Sequence, residues 1–290
     1  MPSLPPIVFT HANSFPAATY SVLFASLRAR GFAVEAIDQL GHDPQYPVTN
    51  NWPHLVQQLA DFASTAVARQ GQPAFLVGHS LGGFLSLMVA ARHPELACGV
   101  LLLDAPIVGG WRATTLGAIK RANMVEVVSP GKISRTRRQH WADQAAALAH
   151  FQSKKAFARW EPQVLQDYIR FGTRDEDGQR VLGFDRAVET AIYNSFPDNL
   201  EGLLRRRPLK CPVAFIGGTH SAEMRQIGMG LTSKITKGRT MMLDGSHLFP
   251  MEKPLATAAA IEAALRNIGN IGNIGNISVP ATAPEPPGHR

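Results

Sequence analysis

The sequence lacks any apolar run of the roughly 18 residues that a membrane-spanning helix requires. Met1 to Pro6 contains no basic residue and is broken by prolines, so we do not expect it to open a secretory signal. The apolar run that follows, Ile7 to Phe9, is too short for the core of such a signal. We therefore expect a cytoplasmic protein with no membrane partner.

Cysteine is scarce, with Cys98 and Cys211 the two present in 290 residues. So low a content excludes the class of small secreted domains built on disulfides. We expect both thiols to be free and buried in a reducing compartment, with one disulfide between them as the alternative. The histidines and carboxylates show no ligand spacing typical of a metal site, so we expect neither a metal nor another cofactor.

Charged residues make up only 18% of the chain, and the formal net charge is +7. Part of this excess lies in three basic clusters: Arg135 with Arg137 and Arg138, Lys154 with Lys155, and Arg205 to Arg207. Clusters of this kind can contact nucleic acid or an acidic substrate. No nucleic-acid-binding motif accompanies them, so we interpret them as solvated surface and expect no nucleic-acid partner.

Short apolar runs alternate with segments whose apolar residues have helical spacing. The expected strands are 7–10, 34–38, 74–77, 99–103, 213–216 and 240–243, and the expected helices are 17–30, 52–69, 80–93 and 254–266. Buried strands that alternate with helices are typical of a parallel sheet covered on both faces. The expected fold class is therefore α/β, with a mostly parallel sheet and helices on both faces.

The alternation is interrupted over residues 105–205, which are polar, basic and helix-like. A segment of this length is too long for a structureless loop. We expect residues 1–104 and 206–266 to form the core and residues 105–205 to form a helical lid inserted in it. Residues 267–290 repeat Asn-Ile-Gly and then become rich in Pro and Ala, which predicts a disordered, low-complexity tail.

A candidate nucleophile lies in the segment Gly78-His79-Ser80-Leu81-Gly82, which matches the pattern G-x-S-x-G. The segment directly follows an expected strand and opens an expected helix, and this context gives the pattern its meaning. The turn between the two elements is so sharp that its serine is strained and its neighbours must be small. The alternative is a serine that only caps the helix.

A nucleophilic serine needs a base, and His247 is the candidate because it follows the last expected strand, in Asp244-Gly245-Ser246-His247. Loops at the carboxyl ends of parallel strands are where such sheets present functional groups. The alternative is a histidine of a surface loop. Three other histidines compete for the role: His79, His93 and His220.

Four segments together resemble the α/β-hydrolase-fold serine hydrolases, in their esterase-like branch. They are His11-Ala12-Asn13-Ser14-Phe15-Pro16, Asp38-Gln39-Leu40-Gly41-His42, Gly78 to Gly83 and Gly245-Ser246-His247, and they occur in the family's order. The resemblance covers about residues 5 to 266 and is weakest in the lid. It implies an oxyanion hole made by the backbone N–H groups of Asn13 and Leu81. It also implies structural roles for His11 and for the Asp38 to His42 turn.

The acid partner of the histidine departs from the commonest family pattern. Many relatives carry it in a Gly-x-x-Asp segment after the strand that follows the lid, and this chain has no Asp there. Asp104 ends the strand before the lid, where certain haloalkane dehalogenases place their acid, and Glu223 lies a few residues past the usual position. We favour Asp104, keep Glu223 as the alternative, and leave open a site without an effective acid.

Aromatic residues of the lid and of the loop after the last strand are candidates for lining a substrate pocket. They are Trp111, Trp160, Tyr168 and Phe249, and ordinary core packing is the alternative for each. An apolar pocket suits an ester or acyl substrate with a hydrophobic part.

The residues predict a serine hydrolase that cleaves a carboxylic ester, lactone or thioester of a small, partly hydrophobic molecule through an acyl-enzyme. The partner would be that small-molecule acyl substrate, and a homodimer is left open. Two alternatives use the same fold: C–C bond hydrolysis or perhydrolysis on the same residues, and a non-catalytic relative that binds a small ligand. A fold cannot distinguish between them.

Overall fold

A six-stranded parallel sheet forms the centre of the computed structural model, which describes residues 4–110, residue 115 and residues 131–274. Its strands are β1 (Ile7–Thr10), β2 (Val34–Ala36), β3 (Ala74–His79), β4 (Ala97–Leu103), β8 (Val213–Gly218) and β9 (Thr240–Leu243). They lie in the order β2-β1-β3-β4-β8-β9, and every neighbouring pair is parallel. The expected parallel sheet is therefore confirmed.

Both faces are buried at the centre of this sheet: alternate residues of a strand point to opposite faces, and β1, β3 and β8 are buried along their whole length, whereas the edge strand β9 is largely exposed. In β3, Phe75 and Val77 belong to one hydrophobic cluster, whereas Ala74 and Leu76 belong to the other. The helices α1 (Ser21–Ala29) and α12 (Pro254–Ile274) cover the first face, and α2 (Pro53–Gln70) and α3 (Leu81–Arg92) cover the second. The expected arrangement of helices on both faces is confirmed.

The segment between β4 and β8 is more than a set of helices. Its helices in the described part are α4 (Gly131–Thr136), α5 (Gln144–Gln152), α6 (Pro162–Gly172), α7 (Arg186–Asn194) and α8 (Leu200–Arg206). It also holds an antiparallel sheet of β5 (His140–Trp141), β7 (Gln179–Leu182) and β6 (Thr173–Glu176), in the order β5-β7-β6. The insertion that we expected to be helical therefore contains helices and, in addition, a small antiparallel sheet.

A two-residue turn explains this added sheet. Asp177 and Gly178 join β6 to β7, and both have positive φ, at 51° and 73°. Asp-Gly is a preferred pair for a tight hairpin turn, since both central residues of a type I′ turn need positive φ. The pair Asp177-Gly178 was thus a hairpin signal that the helical interpretation of the segment overlooked.

The last helix is longer than expected. Three short helices come before it: α9 (Ala222–Ile227) and α10 (Gly230–Thr236) precede β9, and α11 (Phe249–Glu252) follows β9. The final helix α12 then runs past Arg266 to Ile274, into the Asn-Ile-Gly repeat, because Ile268 is fully buried in the core of the first face. Packing of this kind overrides a weak local propensity. Residues 275–290 lie outside the described part of the chain.

Two expectations from composition can be compared with the structure. Cys98 and Cys211 are both free, as expected, but each is only partly buried; this partial burial is the main cause that raises the pKa of each thiol. Among the described residues, no helix combines the length and apolar character needed to cross a membrane.

Candidate active site

The carboxyl ends of the parallel strands bring distant parts of the chain together at one edge of the sheet. Parallel pairing places the ends of β1, β3, β4, β8 and β9 side by side. The residues that follow β1, β3, β4 and β9 include Asn13, Ser80, Asp104 and His247 respectively. The candidates from the sequence therefore share the edge where sheets of this kind carry their sites.

Ser80 occupies a strained turn between β3 and α3. Its φ of 52° and ψ of −116° lie in a region that residues with a side chain rarely adopt. The crossing is so close that a Cβ added to Gly78 would lie 2.1 Å from the carbonyl of Gly82, and one added to Gly82 would lie 2.0 Å from the oxygen of Thr10. The two glycines are thus required by backbone contact, as the motif predicts.

The side chains of Ser80, His247 and Asp104 form one hydrogen-bonded chain. Nε2 of His247 lies 3.0 Å from Oγ of Ser80, and Nδ1 of His247 lies 2.6 Å from Oδ2 of Asp104. A carboxylate can only accept, so Nδ1 carries the proton and Nε2 is free to accept the serine hydroxyl. This is the geometry of a serine activated by a histidine that an acid orients.

Asp104 is held in place by more than the histidine. Its side chain is fully buried, Oδ1 accepts from the backbone N–H of Gly218 at 2.8 Å, and Oδ2 accepts from the hydroxyl of Ser221 at 2.6 Å. Burial pushes the pKa of the carboxyl up, but the bond and charge of His247 and the donors Ser221 and Gly218 outweigh it. The pKa of Asp104 is lowered, so the carboxylate is ionised.

Glu223, the alternative acid, lies near His247 but does not hydrogen-bond to it. Its Oε2 is 3.8 Å from Nδ1 of His247, beyond hydrogen-bond range, and its side chain is 45% exposed. The same oxygen accepts a long bond of 3.3 Å from the hydroxyl of Ser221. Asp104 is thus the direct partner of the histidine, and Glu223 acts on it through charge.

The pKa of His247 reflects both carboxylates. Burial lowers it, but the hydrogen bond to Asp104 and the negative charges of Glu223 and Asp104 more than offset that effect. The pKa of His247 is therefore raised above the ordinary value of 6.5. A raised pKa makes the histidine a stronger base toward the serine hydroxyl.

Among the described residues, none of the competing histidines hydrogen-bonds to the serine hydroxyl, although His220 lines the same cavity. His79 is buried, its Nε2 donates to the carbonyl of His247 at 2.8 Å, and its Nδ1 accepts from the hydroxyl of Tyr20 at 2.8 Å. Burial, followed by the charge of His247, lowers the pKa of His79 to about 3, so it is neutral. His220 is exposed beside Asp244, and His93 pairs with Glu95.

The Tyr20 hydroxyl also accepts the backbone N–H of Ala12 at 3.1 Å. The loop after β1 and the loop that carries His247 are therefore joined through Tyr20 and His79. Tyr20 was not a candidate from the sequence, because a lone tyrosine gives no sign of such a role, and His79 was considered there only as a rival base.

Asn13 and Leu81, the residues expected to supply an oxyanion hole, lie in the loop after β1 and at the start of α3. Leu81 directly follows Ser80 as the first residue of α3, where a backbone N–H has no partner within its helix. Asn13 is buried in the loop after β1, lines the cavity above Ser80, and its side-chain amide donates to the carbonyl of Glu189 at 3.1 Å. The hydroxyl of Ser14 donates to the carboxylate of Glu189, so the loop is anchored to α7 of the lid.

A cavity of about 870 Å³ opens onto Ser80 and His247. Phe15, Phe151, Phe157 and Leu248 are the large apolar residues among its described lining. The candidate pocket residues Trp160, Tyr168 and Phe249 are not among its described lining residues. The expectation that they line the pocket is therefore wrong, and Trp111 lies outside the described residues.

These three aromatic side chains are excluded from the cavity because each packs behind another layer of side chains. Trp160 and Tyr168 are buried behind Phe15 and Phe157, with ring centroids 4.6 to 5.7 Å apart. Phe249 is fully buried beneath His79. These aromatics therefore pack behind the residues that line the cavity and support them.

In the part of the chain that the structure describes, one group of side chains could hold a cation. Ligand atoms of Asp104, Glu223 and His247 all lie within 4.8 Å of one another. A metal bound there would need the lone pair of His247 Nδ1, but that nitrogen carries the proton of the hydrogen bond to Asp104. The donors are thus already engaged in orienting the histidine.

The parallel sheet, the strained serine turn and the Ser80–His247–Asp104 chain define a protein of the α/β-hydrolase class. The model of a family described as the alpha/beta hydrolase family matches residues 7–260. The chain therefore belongs to the alpha/beta hydrolase family, as the four segments in the sequence indicated.

Several relatives are similar over most of the chain. The "Putative non-heme haloperoxidase" of Mycobacterium phage D29 is 32% identical, over 91% of this chain and 88% of its own. A serine hydrolase-like protein of Dictyostelium discoideum is 25% identical, over 83% of this chain and 69% of its own. The crystal structure of E-2-(acetamidomethylene)succinate hydrolase superposes with a TM-score of 0.68 at 22% identity, covering 90% of this chain and 91% of its own, which supports the fold alone.

Proposed function

We propose that the protein is a serine hydrolase that cleaves a carboxylic ester, lactone or thioester of a small molecule. The observation that carries the proposal is the continuous chain from the Ser80 hydroxyl through His247 to the buried Asp104, with bonds of 3.0 and 2.6 Å. Ser80 also lies at the floor of a cavity large enough for a small substrate.

Acylation is the first step. The Ser80 oxygen attacks the carbonyl carbon of the substrate while Nε2 of His247 takes the hydroxyl proton. Asp104 keeps the proton of Nδ1 in place and stabilises the imidazolium without becoming protonated. The negative charge that develops on the carbonyl oxygen is stabilised by the N–H groups of Asn13 and Leu81. His247 then gives its proton to the leaving oxygen or sulfur, and the acyl group stays on Ser80.

Deacylation repeats the cycle with water. His247 removes a proton from a water molecule, which attacks the acyl-enzyme carbonyl, and the same two N–H groups bind the oxyanion. The acid product leaves when Ser80 recovers its proton from His247. The net reaction consumes one water and needs no cofactor.

A covalent label tests the nucleophile directly. A fluorophosphonate probe should label the wild type and should fail to label Ser80→Ala, since the probe reacts only with an activated serine. Ser233→Ala is the matched control, because Ser233 is exposed on α10, and it should label as the wild type does. Absence of labelling in folded wild-type protein would overturn the proposal.

Perhydrolysis is a second candidate, favoured by the phage relative with the haloperoxidase name. Hydrogen peroxide would replace water at the acyl-enzyme, so that a carboxylic acid and peroxide yield a peracid and water. Peracid formation from acetate and peroxide that exceeds the Ser80→Ala background would support it. If only ester hydrolysis is found, the first candidate stands alone.

Two further alternatives share the fold. C–C bond hydrolysis of a diketone would use the same residues, and a panel of p-nitrophenyl esters, lactones and diketones separates it from ester cleavage. The absence of a Gly-x-x-Asp segment would favour a non-catalytic relative. Asp104 bonded to His247 at 2.6 Å supplies the acid by another route and removes that support.

A further inference from the structure

The cavity above Ser80 has a strongly basic wall that the reaction itself does not use. Arg137, Arg138, His150 and Lys154, all from the lid, line the same cavity as Ser80. The two arginines and the lysine come from two of the three basic clusters that the sequence suggested were solvated surface. Part of that charge therefore faces the site.

Arg137 is neutralised within the protein. Its Nη1 contacts both carboxylate oxygens of the buried Glu189, at 3.0 and 2.9 Å, and its Nη2 donates to the hydroxyl of Tyr168 at 2.8 Å. This ion pair ties α7 to the segment after α4. We therefore assign Arg137 a structural role.

Arg138 and Lys154 differ from Arg137 because neither forms an ion pair with any residue in the described part of the chain. The guanidinium of Arg138 lies 5.9 Å from the ring centre of Trp141, and its Nε donates to the carbonyl of His140. The ring of His150 contacts the same tryptophan, with centroids 5.6 Å apart. Trp141 thus holds Arg138 and His150 in one group.

The positive charges of the basic wall act on the imidazole of His150. Modest burial, then the charges of Lys154, Arg138 and Arg137, lowers the pKa of His150. Clustered like charges are unfavourable unless an anion balances them, and a cleft concentrates their field. The described acidic residues of the cavity are Glu189, which Arg137 neutralises, and Glu223, which lies beside His247. The cavity is thus negative beside the base and positive at the lid.

We propose that Arg138, Lys154 and His150 form an anion subsite that binds an ionised carboxylate of the substrate. On this proposal, which rests on the proposed function, the preferred substrate is an ester of an acid that carries a second, free carboxylate. The scissile carbonyl lies at Ser80, the apolar chain contacts Phe15 and Phe157, and the free carboxylate reaches the basic wall.

Paired esters test the subsite. The monomethyl esters of succinic, glutaric, adipic and suberic acids keep one carboxylate, and their dimethyl esters lack it. At one or more chain lengths the wild type should hydrolyse the monomethyl ester with a kcat/KM about tenfold above that of the dimethyl ester. The preference should shrink as sodium chloride is added, since salt screens exposed charges.

Two variants locate the effect. Lys154→Gln and Arg138→Gln should each reduce the ratio of the two kcat/KM values about fivefold, the upper range for an exposed ion pair. The change should be mainly in KM, because the charge lies away from the reacting bond. Lys155→Gln is the matched control, since Lys155 is exposed beside Lys154 and is not among the described lining residues, and its ratio should equal the wild-type value.

A binding measurement on a variant that cannot turn over substrate tests the anion subsite independently of the proposed hydrolase activity. Calorimetry with Ser80→Ala and monomethyl adipate should show binding that weakens about fivefold when Lys154→Gln is added. Such binding without any turnover by the wild type would overturn the hydrolase and keep the anion subsite. Hydrolysis of dimethyl esters at least as fast as monomethyl esters at every length, unaffected by Lys154→Gln, would overturn the subsite and keep the hydrolase.

Discussion

Oδ2 of Asp104 lies 2.6 Å from Nδ1 of His247, although 143 positions and the whole lid separate the two residues in the chain. The sheet makes this possible, because β4 pairs directly with β8, and β8 with β9. Asp104 thus follows one strand and His247 follows another, two places along the same edge. The segment after β8, where the family more often carries its acid, instead contributes Ser221 as a donor to Asp104.

Replacing Asp104 should therefore lower kcat far more than replacing the neighbouring carboxylate of Glu223. Asp104→Asn should lower kcat for ester hydrolysis by about three to four orders of magnitude, because the histidine loses the group that fixes its tautomer. Glu223→Gln should lower it less than about tenfold, since that side chain is exposed and acts through charge. Steady-state kinetics on one p-nitrophenyl ester checks both variants, and a larger loss in Glu223→Gln would reverse the assignment.

The pH dependence of kcat/KM should report His247. Only the neutral imidazole accepts the serine proton, so activity falls as pH drops through the pKa of His247. The acid limb should therefore have its midpoint above 6.5, because that pKa is raised. Glu223→Gln removes a negative charge that favours the imidazolium, so it should move the midpoint to lower pH. A midpoint that stays in place, or moves up, would show that Glu223 has no electrostatic role.

The sequence was sufficient for the parts of the site that are local. The turn around Ser80 can be read from a strand, two glycines and a helix within a few residues, and the parallel sheet follows from the alternation of elements. His247 could be placed because it follows the last strand. In each case a short stretch of chain determines the geometry.

The wall of the cavity could not be read in the same way. Whether Trp160 or its neighbour Phe157 faces the cavity depends on how the lid packs, and an aromatic residue has the same pattern in either layer. The basic residues of the lid pose the same problem, since Lys154 and Lys155 are adjacent but only the first is among the described residues that line the cavity. The hairpin at Asp177 and Gly178 did carry a local signal, but the helix-like residues around it obscured that signal.

A methyl group at Gly82 should disrupt the serine turn. Its Cβ would lie 2.0 Å from the backbone oxygen of Thr10, and neither strand β1 nor helix α3 can move away without breaking the sheet edge. Gly82→Ala should therefore lower the free energy of unfolding by about 3 kcal/mol in urea titration. Gly230→Ala, where a Cβ meets nothing within 4 Å, should change it by less than about 0.5 kcal/mol. Equal stability of the two variants would show that the contact at Gly82 is relieved.

The buried bridge through Tyr20 should affect both stability and rate. Its hydroxyl accepts from the N–H of Ala12 and donates to His79, which in turn donates to the carbonyl of His247. Tyr20→Phe removes both bonds at once and leaves the Ala12 N–H and the His79 nitrogen unpaired. The expected cost is about 1–3 kcal/mol of unfolding free energy.

The rate distinguishes a positioning role from a purely structural one. With His79 no longer held, the His247 loop and the Asn13 loop lose their common support, and kcat should fall about tenfold at a temperature where the variant is fully folded. Tyr46→Phe is the matched control, because the Tyr46 hydroxyl is exposed and bonds only to Asp61 among the described residues, and it should change neither Tm nor kcat. A Tyr20→Phe variant with a lowered Tm and an unchanged kcat would show that the bridge stabilises the fold without orienting the histidine.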